Sequence, residues 1–165
     1  MNGLPLKFQV HRVVQFWFQG KNSSILNRIK SCFAFDMPYG FFYGFPPFAH
    51  CPYLKVAIYK PGDRVSDPSQ VERAISPEDS KEVSRFLTEV MPEIDPVPVE
   101  GSVCLYTMTP DEHFVIDSHP KYDRVVFSGG FSGHGFKFAS VIGKILSDLA
   151  REGESSDLKD FLRIR

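Results

Sequence analysis

The longest stretch of the chain without a Lys, Arg, Asp or Glu side chain, residues 37–54, cannot form one continuous helix. Four prolines and two glycines interrupt it: Pro38, Gly40, Gly44, Pro46, Pro47 and Pro52. Proline lacks the backbone N–H that a helix needs and clashes with the preceding turn, so a membrane-spanning helix of about 20 residues is excluded here. The stretch instead predicts short strands joined by turns. The 12 glycines and 13 prolines of the chain also favour strands and turns over a helical bundle.

The composition is that of an ordinary globular protein with little net charge. Nineteen Lys and Arg against twenty Asp and Glu leave a net charge of −1, which gives no electrostatic reason to expect nucleic acid or a membrane as a partner. An odd number of cysteines, three, argues against a disulfide scaffold and favours a cytoplasmic location. The amino end carries no apolar segment followed by a cleavage site, so we expect no secretory signal. The length of 165 residues alone predicts one domain.

Short runs of β-branched and aromatic residues predict a mostly antiparallel sheet. Residues 32–35 and 41–45 are predicted to form a hairpin around the turn that contains Pro38 and Gly40. Residues 102–109 are predicted to form a strand that pairs with residues 113–117 after a turn. Further strands are predicted at residues 6–18, 54–59 and 124–128.

Two segments have apolar residues at helical spacing. The first is predicted to begin at Ser76, whose hydroxyl caps the helix, with Pro77 at the first helical position and Pro92 after its end. The second is predicted from about residue 134 to residue 151, with a weakly structured tail over residues 152–165. Together the elements predict an α+β fold, a mostly antiparallel sheet with one flanking helix and a second helix near the carboxyl end.

The segment VVFSGGFSGHGFK, residues 125–137, joins the last strand to the last helix through a glycine-rich turn. Glycines let backbone N–H groups approach a ligand closely, and a helix N-terminus favours negative charge. An alternative is a tight corner in which the glycines serve only the path of the backbone. The segment is not a dinucleotide-binding fingerprint, because Phe138 stands where the third glycine belongs after Gly133 and Gly135.

Lys137 is predicted to lie in the first turn of the last helix, where the helix dipole disfavours a cation. It is therefore either a site residue that holds a carboxylate or stabilises negative charge on a cofactor, or a solvated surface lysine. The sequence does not separate a site role for His134 from a hydrogen bond at the helix start.

Cys104 lies on a predicted strand, where it is either a small buried apolar residue or a nucleophile with a positive neighbour. We assign no such role to Cys32 and Cys51. The histidines lack metal-ligand spacing, so no metal site is predicted. A serine hydrolase is disfavoured because the chain contains no G-x-S-x-G motif.

Two motifs in a preserved order carry a family resemblance: CLYTMTPDEHF at residues 104–114 and GFSGHGFK at residues 130–137. Together with YGFP at residues 43–46 and LKV at residues 54–56, they resemble the sarcosine oxidase, N-methyltryptophan oxidase and pipecolate oxidase group of FAD-dependent amine oxidases. The resemblance extends over nearly the whole chain. It implies FAD as cofactor, with a secondary amine and O₂ as substrates.

The resemblance also implies roles for individual residues. Cys104 matches the cysteine that bonds covalently to the flavin, and Lys137 the lysine that binds the substrate carboxylate. Tyr43 matches an active-site tyrosine, and Lys55 the lysine implicated in oxygen activation. Tyr59 departs from the pattern, since many members have a substrate-contacting histidine there. The implied flavin-contacting loop contains His134 together with Gly130, Phe131, Ser132, Gly133 and Gly135.

The resemblance finally implies a division of the chain. Residues 1–115 match the sheet and helix of a substrate domain, and residues 116–165 match the closing strand, glycine-rich loop and last helix of an FAD domain. The Rossmann part of that FAD domain has no counterpart in the chain, so we expect a missing FAD-binding lobe or a separate partner chain, and little activity of the chain alone. The alternative is a non-catalytic remnant or interaction module.

Overall fold

The computed structural model describes residues 4–22 and 24–164, which form two compact units. The sheet unit comprises Arg12–Asp63 and Asp67–Cys104, and the hairpin unit comprises residues 4–11, Arg64–Ser66 and Leu105–164. The predicted division into residues 1–115 and 116–165 stays a prediction. No helix in the described part of the chain is long and apolar enough to span a membrane.

The main sheet has six strands, with spatial order β2, β3, β4, β1 and β5, and β6 also pairs with β1. These strands are β1 (Gln9–Phe18), β2 (Phe33–Met37), β3 (Gly40–Phe45), β4 (Leu54–Tyr59), β5 (Asp63–Val65) and β6 (Glu100–Met108). The predicted hairpin of β2 and β3 is confirmed, with Asp36 opposite Phe41. The mixed α/β content and the antiparallel sheet agree with the predicted α+β class.

One face of the sheet packs against helix α1 (Pro77–Val90) to form the core of the sheet unit. Residues at alternate positions of each strand point to this face. The ring of Phe42 stacks on that of Phe86 in α1 with centroids 4.5 Å apart. The fully buried apolar side chains of this core include Phe16, Phe18, Phe42, Leu54, Val56, Val83, Phe86 and Leu87.

Helix α1 begins as predicted at Ser76 and is connected to the sheet by a partly buried ion pair. The backbone N–H of Ser76 donates to the carboxylate of Asp79, 2.8 Å away, which caps the helix. Arg12 in β1 donates to both oxygens of Asp79, at 2.6 and 3.2 Å, and its side chain is only 12% exposed. Hydrogen bonds from Arg12 hold the pKa of the Asp79 carboxyl below its usual value.

The hairpin unit contains β7 (Val115–His119) and β8 (Tyr122–Gly129), which pair antiparallel with Asp117 opposite Phe127. Helix α2 (Ala139–Glu152) belongs to the same unit. The apolar core of the unit consists of Phe114, Ile116, Ile142, Ile145, Leu149 and Leu158.

The predicted pairing of residues 102–109 with 113–117 is wrong, since β7 pairs with β8 and β6 pairs with β1. Only Pro120 and Lys121 separate β7 from β8, which is the length of a tight hairpin turn. The connection before β7 is longer, and its Glu112 has a positive φ of 60°. The side chain of Thr109 donates to the carbonyl of His113 within this connection.

The last helix starts later than predicted, at Ala139 rather than near His134. A single 3-10 turn, Phe136–Phe138, precedes it. The delay follows from the backbone at Phe138, whose φ of −103° and ψ of 4° depart from α-helical values and separate the 3-10 turn from the helix. Lys137 therefore lies in the 3-10 turn, and its predicted place in the first turn of the helix is wrong.

The tail after α2 is more ordered than predicted. Leu158 is buried in the core of the hairpin unit, and residues Asp160–Leu162 form a 3-10 turn. The Asp117 carboxylate in β7 accepts hydrogen bonds from the Arg163 side chain, at 3.2 Å, and from the Ile164 backbone, at 3.0 Å. The Arg163 side chain and the Ile164 backbone N–H of the tail thus provide hydrogen-bond donors for the Asp117 carboxylate. Local sequence patterns do not predict this pairing.

We predict that Asp79→Asn lowers the free energy of unfolding at pH 7 by about 1 to 2 kcal/mol, because it removes the charged partner of Arg12. Since the folded-state pKa of Asp79 lies below its ordinary value, this contribution is fully present at neutral pH and is lost as pH falls through the depressed pKa. Urea unfolding at neutral and acidic pH measures both effects.

The control is Glu78→Gln, which changes a neighbouring carboxylate whose ion pair with Lys81 is exposed. Its effect on stability should be much smaller, because exposed ion pairs contribute little. Equal losses in the two variants at pH 7 would contradict the role assigned to the Arg12–Asp79 pair.

We also predict that Gly133→Ala lowers the free energy of unfolding by about 2 to 3 kcal/mol, because the position combines backbone strain with a steric clash. Gly133 has a φ of 77°, and a Cβ atom there would lie 2.2 Å from Cε2 of Tyr106. Gly143→Ala in α2 is the matched control, since among the described residues no atom beyond its chain neighbours and the backbone of its own helix lies within 4 Å of the added Cβ. That change should stabilise the protein by up to about 1 kcal/mol. Urea unfolding followed by circular dichroism compares the two.

Candidate functional site

The face of the main sheet opposite α1 brings together three of the residues predicted for the site. In the register of β3 and β4, Phe45 lies opposite Lys55, Tyr43 opposite Ala57, and Phe41 opposite Tyr59. Leu54 and Val56 are buried in the core with α1, so the residues that alternate with them point to the other face. Tyr43, Lys55 and Tyr59 therefore share one face of the sheet.

The Lys55 side chain is flanked by aromatic rings from both neighbouring strands. Its paired residue is Trp17 in β1 and Phe45 in β3. The Nζ atom lies 5.6 Å from the Trp17 ring centroid and 5.4 Å from that of Phe45. The ring of Tyr43 is perpendicular to that of Phe45, with centroids 6.1 Å apart. The four side chains form one cluster in which aromatic rings lie around the Lys55 ammonium.

Burial lowers the pKa of the Lys55 ammonium, and the nearby thiol group of Cys104 partly opposes this shift. Cys104 lies near the middle of β6 and is partly buried. Both residues belong to the sheet unit, Lys55 in β4 and Cys104 in β6, and β1 pairs with each of these strands. A partly desolvated ammonium is able to stabilise negative charge that develops near it.

The glycine-rich loop of the hairpin unit is held by its own backbone and by Ser132. The Ser132 side chain is fully buried, and its hydroxyl donates to the carbonyl of Gly130 at 3.2 Å. The backbone N–H of Ser132 donates to the Thr107 carbonyl in β6, 2.9 Å away. Gly130 adopts a φ of 65°, and a Cβ atom there would lie 2.4 Å from the Thr109 side chain. The loop path is thus fixed against the end of β6.

His134 makes a hydrogen bond within the loop and a ring contact with Phe114. Its Nδ1 atom lies 2.9 Å from the Ser132 carbonyl oxygen, and its ring lies 4.9 Å from the ring of Phe114. These contacts support the hydrogen-bonding alternative for His134. A contact between His134 and a flavin stays a prediction.

A groove of about 560 Å³ lies between the loop, β6 and α2 in the hairpin unit. Its volume is in the range of sites for small molecules. Four of the predicted loop residues line it, namely Phe131, Ser132, Gly133 and Gly135. The remaining lining is mostly apolar and includes Leu105, Tyr106, Phe136 and Leu146.

Lys137 is exposed next to this groove, with Nζ 5.6 Å from the ring centroid of Phe138. It belongs to the hairpin unit, whereas Lys55 and Cys104 belong to the sheet unit. A common site for Lys137 and Cys104 therefore stays a prediction. The expected absence of a metal site also stays a prediction, although residues 4–22 and 24–164 contain no cluster of three or more metal-ligating side chains.

Sequence analysis missed Trp17, Phe45 and Tyr106. Trp17 and Phe45 stand on predicted strands, but only the strand register shows that both are paired with Lys55. Tyr106 is almost fully buried, and its ring occupies the space that a side chain at Gly133 would need. Its position two residues after Cys104 in a strand, hence on the same face, is the signal that could have identified it.

A comparison with protein-family models matches residues 16–149 to the FAD dependent oxidoreductase family. Monomeric sarcosine oxidase of Bacillus sp. (strain B-0618) is 41% identical over 92% of this chain and 39% of its own length. N-methyl-L-tryptophan oxidase of Escherichia coli O139:H28 is 36% identical over 94% of this chain and 42% of its own length. The chain thus spans about two fifths of the length of these curated relatives.

Solved structures show the same fold at lower identity. L-proline dehydrogenase from P. horikoshii superposes with a TM-score of 0.79 and 19% identity over 98% of this chain and 41% of its own. Amadoriase I from Aspergillus fumigatus superposes with a TM-score of 0.76 and 23% identity over 96% of this chain and 38% of its own. Since the matched residues 16–149 include most of the sequence and both candidate site regions, the chain belongs to the FAD-dependent oxidoreductase family.

Proposed function

We propose that this chain is the carboxyl-terminal part of an FAD-dependent oxidase of secondary amino acids, such as sarcosine, another N-methyl amino acid or pipecolate. The observation that carries this proposal is the cluster of Lys55, Tyr43 and Tyr59 on one sheet face, with the rings of Trp17 and Phe45 on either side of the Lys55 ammonium. In the reaction the amine loses two electrons and two protons to become an imine, and O₂ takes them up as hydrogen peroxide.

FAD, when bound, accepts the two electrons from the C–N bond and passes them to O₂. The residues present fit such a group in two respects. The face around Lys55 is apolar and aromatic with one ammonium, which suits a flat ring that gains negative charge. The groove along the glycine-rich loop is large enough for part of a cofactor or for a substrate.

Tyr43, Tyr59 and Lys55 serve as the catalytic residues of the sheet unit. The phenol groups of Tyr43 and Tyr59 orient the amine by hydrogen bonding, and Tyr59 contributes to substrate choice because many relatives have histidine there. The Lys55 ammonium stabilises negative charge that develops on O₂ as it is reduced. Its aromatic surroundings limit water around the charge, which strengthens this effect.

Lys137 serves both as the catalytic residue that binds the substrate carboxylate and as a cofactor-binding residue of the loop. Its exposed ammonium is available for an ion pair, and its only aromatic contact among the described residues is with Phe138. The loop residues Gly130, Phe131, Ser132, Gly133, His134 and Gly135 form the cofactor-binding segment. Here the positive φ values at Gly130 and Gly133 let the backbone approach a ligand closely.

Cys104 is the proposed point of covalent attachment for FAD. Attachment would join its Sγ atom to the 8α-methyl carbon of the flavin, with loss of the thiol proton and of one methyl hydrogen, and the two electrons released would pass through the flavin to O₂. Lys55 belongs to the same unit as Cys104.

The part of the cofactor site that this chain does not supply comes from an FAD-binding lobe, in the same polypeptide or in a partner chain. The proposed partners are this lobe, the amine and O₂, without nucleic acid, membrane or metal, and the proposed location is the cytoplasm. We expect the isolated chain to bind FAD weakly and to show no oxidase turnover.

The second candidate is a non-catalytic interaction module. Exposed apolar side chains near the glycine-rich loop favour contact with a partner, since Phe136 is 95% exposed and Phe138 and Val141 are also accessible. Both candidates share this partner contact, and they differ in whether the completed protein oxidises an amine.

A chimera tests the oxidase function. We predict that this chain, placed in Bacillus monomeric sarcosine oxidase instead of the matching segment, yields a protein that releases hydrogen peroxide with a secondary amino acid and keeps flavin after acid precipitation. Cys104→Ser should abolish the acid-stable flavin, and Cys51→Ser should leave it unchanged. A folded chimera that binds FAD without oxidising sarcosine, N-methyltryptophan or pipecolate would support the interaction module.

The same chimera tests carboxylate binding. Lys137→Met should raise KM for the amino acid by about tenfold to a hundredfold, because a charged hydrogen bond to the carboxylate is lost. Lys144→Met is the control, since Lys144 pairs with Asp148 and Asp157 on the surface of the hairpin unit. Steady-state kinetics with an amine that lacks a carboxylate should show no difference between Lys137→Met and the parent. An unchanged KM for the amino acid would contradict the assigned role.

A further inference from the structure

Lys55 lies in the middle strand of three adjacent strands and is directly paired with an aromatic residue on each side. Trp17 in β1 and Phe45 in β3 are its partners on either side. Directly paired residues of antiparallel strands point to the same face, so both rings stand next to the lysine side chain. The Nζ atom lies within 6 Å of both ring centroids, at 5.6 and 5.4 Å. This is the distance at which a ring face attracts a cation.

No carboxylate holds the Lys55 ammonium in the described part of the chain. The causes of its lowered pKa are burial and, in the opposite direction, Cys104. The ion pairs found among the described residues involve other lysines and arginines. A half-buried ammonium without an acidic partner needs another source of stabilisation to remain charged. The two rings are the groups in place to supply it.

We propose that Trp17 and Phe45 are positioning residues that hold the Lys55 ammonium between them and stabilise its charge through the faces of their rings. That this lysine needs a fixed position rests on the oxidase function proposed above. The geometry of the two rings does not depend on that function. Trp17 and Phe45 do for Lys55 what a carboxylate does for an ordinary buried lysine. Unlike a carboxylate, the rings carry no negative charge, so the Lys55 ammonium keeps a positive charge that is able to stabilise a developing negative charge.

The two rings could act only by excluding water from Lys55, or they could also attract its charge. These two roles predict different changes in the Lys55 pKa when a ring is replaced. A leucine in place of either ring still excludes water but has no negative ring face. If the rings act only as cover, Trp17→Leu and Phe45→Leu leave the pKa unchanged, or raise it if water enters. If they stabilise the charge, each substitution lowers the pKa further, by about 0.5 unit.

The experiment is an NMR titration of the 165-residue chain with ¹³C-labelled lysine and no flavin. Lys55→Arg assigns the Lys55 signal by removing it. We expect the Lys55 Hε signals at neutral pH to be displaced upfield by the two ring currents, and the Lys55 pKa to fall in Trp17→Leu and in Phe45→Leu. Phe41→Leu is the matched control, since Phe41 lies on the same face of β3 but is paired with Tyr59. This control should leave the Lys55 pKa unchanged.

Strand register places Tyr43 and Tyr59 on this face. Alternation along β1 puts His11 on the side of Trp17, and alternation along β6 puts Tyr106 on the side of Cys104, so these are the further titratable groups to consider. They remain in the ring variants, and a parallel series in a Cys104→Ser background removes the titration of the thiol. The fall in the Lys55 pKa should persist in that background. Its disappearance there would assign the effect to Cys104 and overturn the role of the rings.

A second series keeps the shape of the site. Trp17 is the single tryptophan of the chain, so fluorinated tryptophans incorporated during expression alter this ring alone. Fluorine withdraws negative charge from the ring face with little change in size, so the Lys55 pKa should fall stepwise with the number of fluorines. If the folded protein has the same Lys55 pKa with every fluorinated tryptophan, the role of the rings is overturned even if the oxidase function is confirmed. If the Lys55 pKa falls stepwise but the chimera does not oxidise an amine, the role of the rings stands and the proposed oxidase function fails.

Discussion

Burial of Phe42 and Val56 against Phe86 of α1 determines the register in which β4 lies between its neighbours. Side chains alternate between the two faces of a sheet, so a shift of one residue would exchange the faces completely. In the observed register the apolar residues Leu54 and Val56 are buried with α1, and Lys55 points away from it. The position of the candidate catalytic lysine is thus a consequence of hydrophobic packing on the opposite side of the sheet.

The glycine-rich loop is subject to two different constraints. Its backbone must lie close to β6, and its buried polar groups must be hydrogen-bonded. Positive φ values at Gly130, Ser132 and Gly133 turn the chain sharply enough for this. Ser132 meets the polar requirement, since its buried hydroxyl and its N–H are both hydrogen-bonded. The loop therefore owes its shape to contacts inside the hairpin unit, and these contacts leave Lys137 and Phe136 exposed beside the groove.

The elements with clear local signals were predictable. Ser76, Pro77 and Pro92 indicated the bounds of α1, and the turn at Pro38 and Gly40 indicated the hairpin of β2 and β3. The pairing of β7 and the start of α2 were predicted wrongly for physical reasons. Strand partners are chosen by tertiary packing rather than by the nearest turn, and the helical spacing of apolar residues after His134 did not reveal the break in helical backbone at Phe138.

The sequence by itself determined the family, through its two preserved motifs, and the residue types that chemistry at the site requires: a thiol, tyrosines and lysines. Only the tertiary structure decided that Trp17 and Phe45 stand beside Lys55, that burial lowers the pKa of its ammonium, and that Ser132 is buried. The physical reason is that local patterns report the periodicity of single segments. Neighbours across strands are set by the registers and the core that all segments form together.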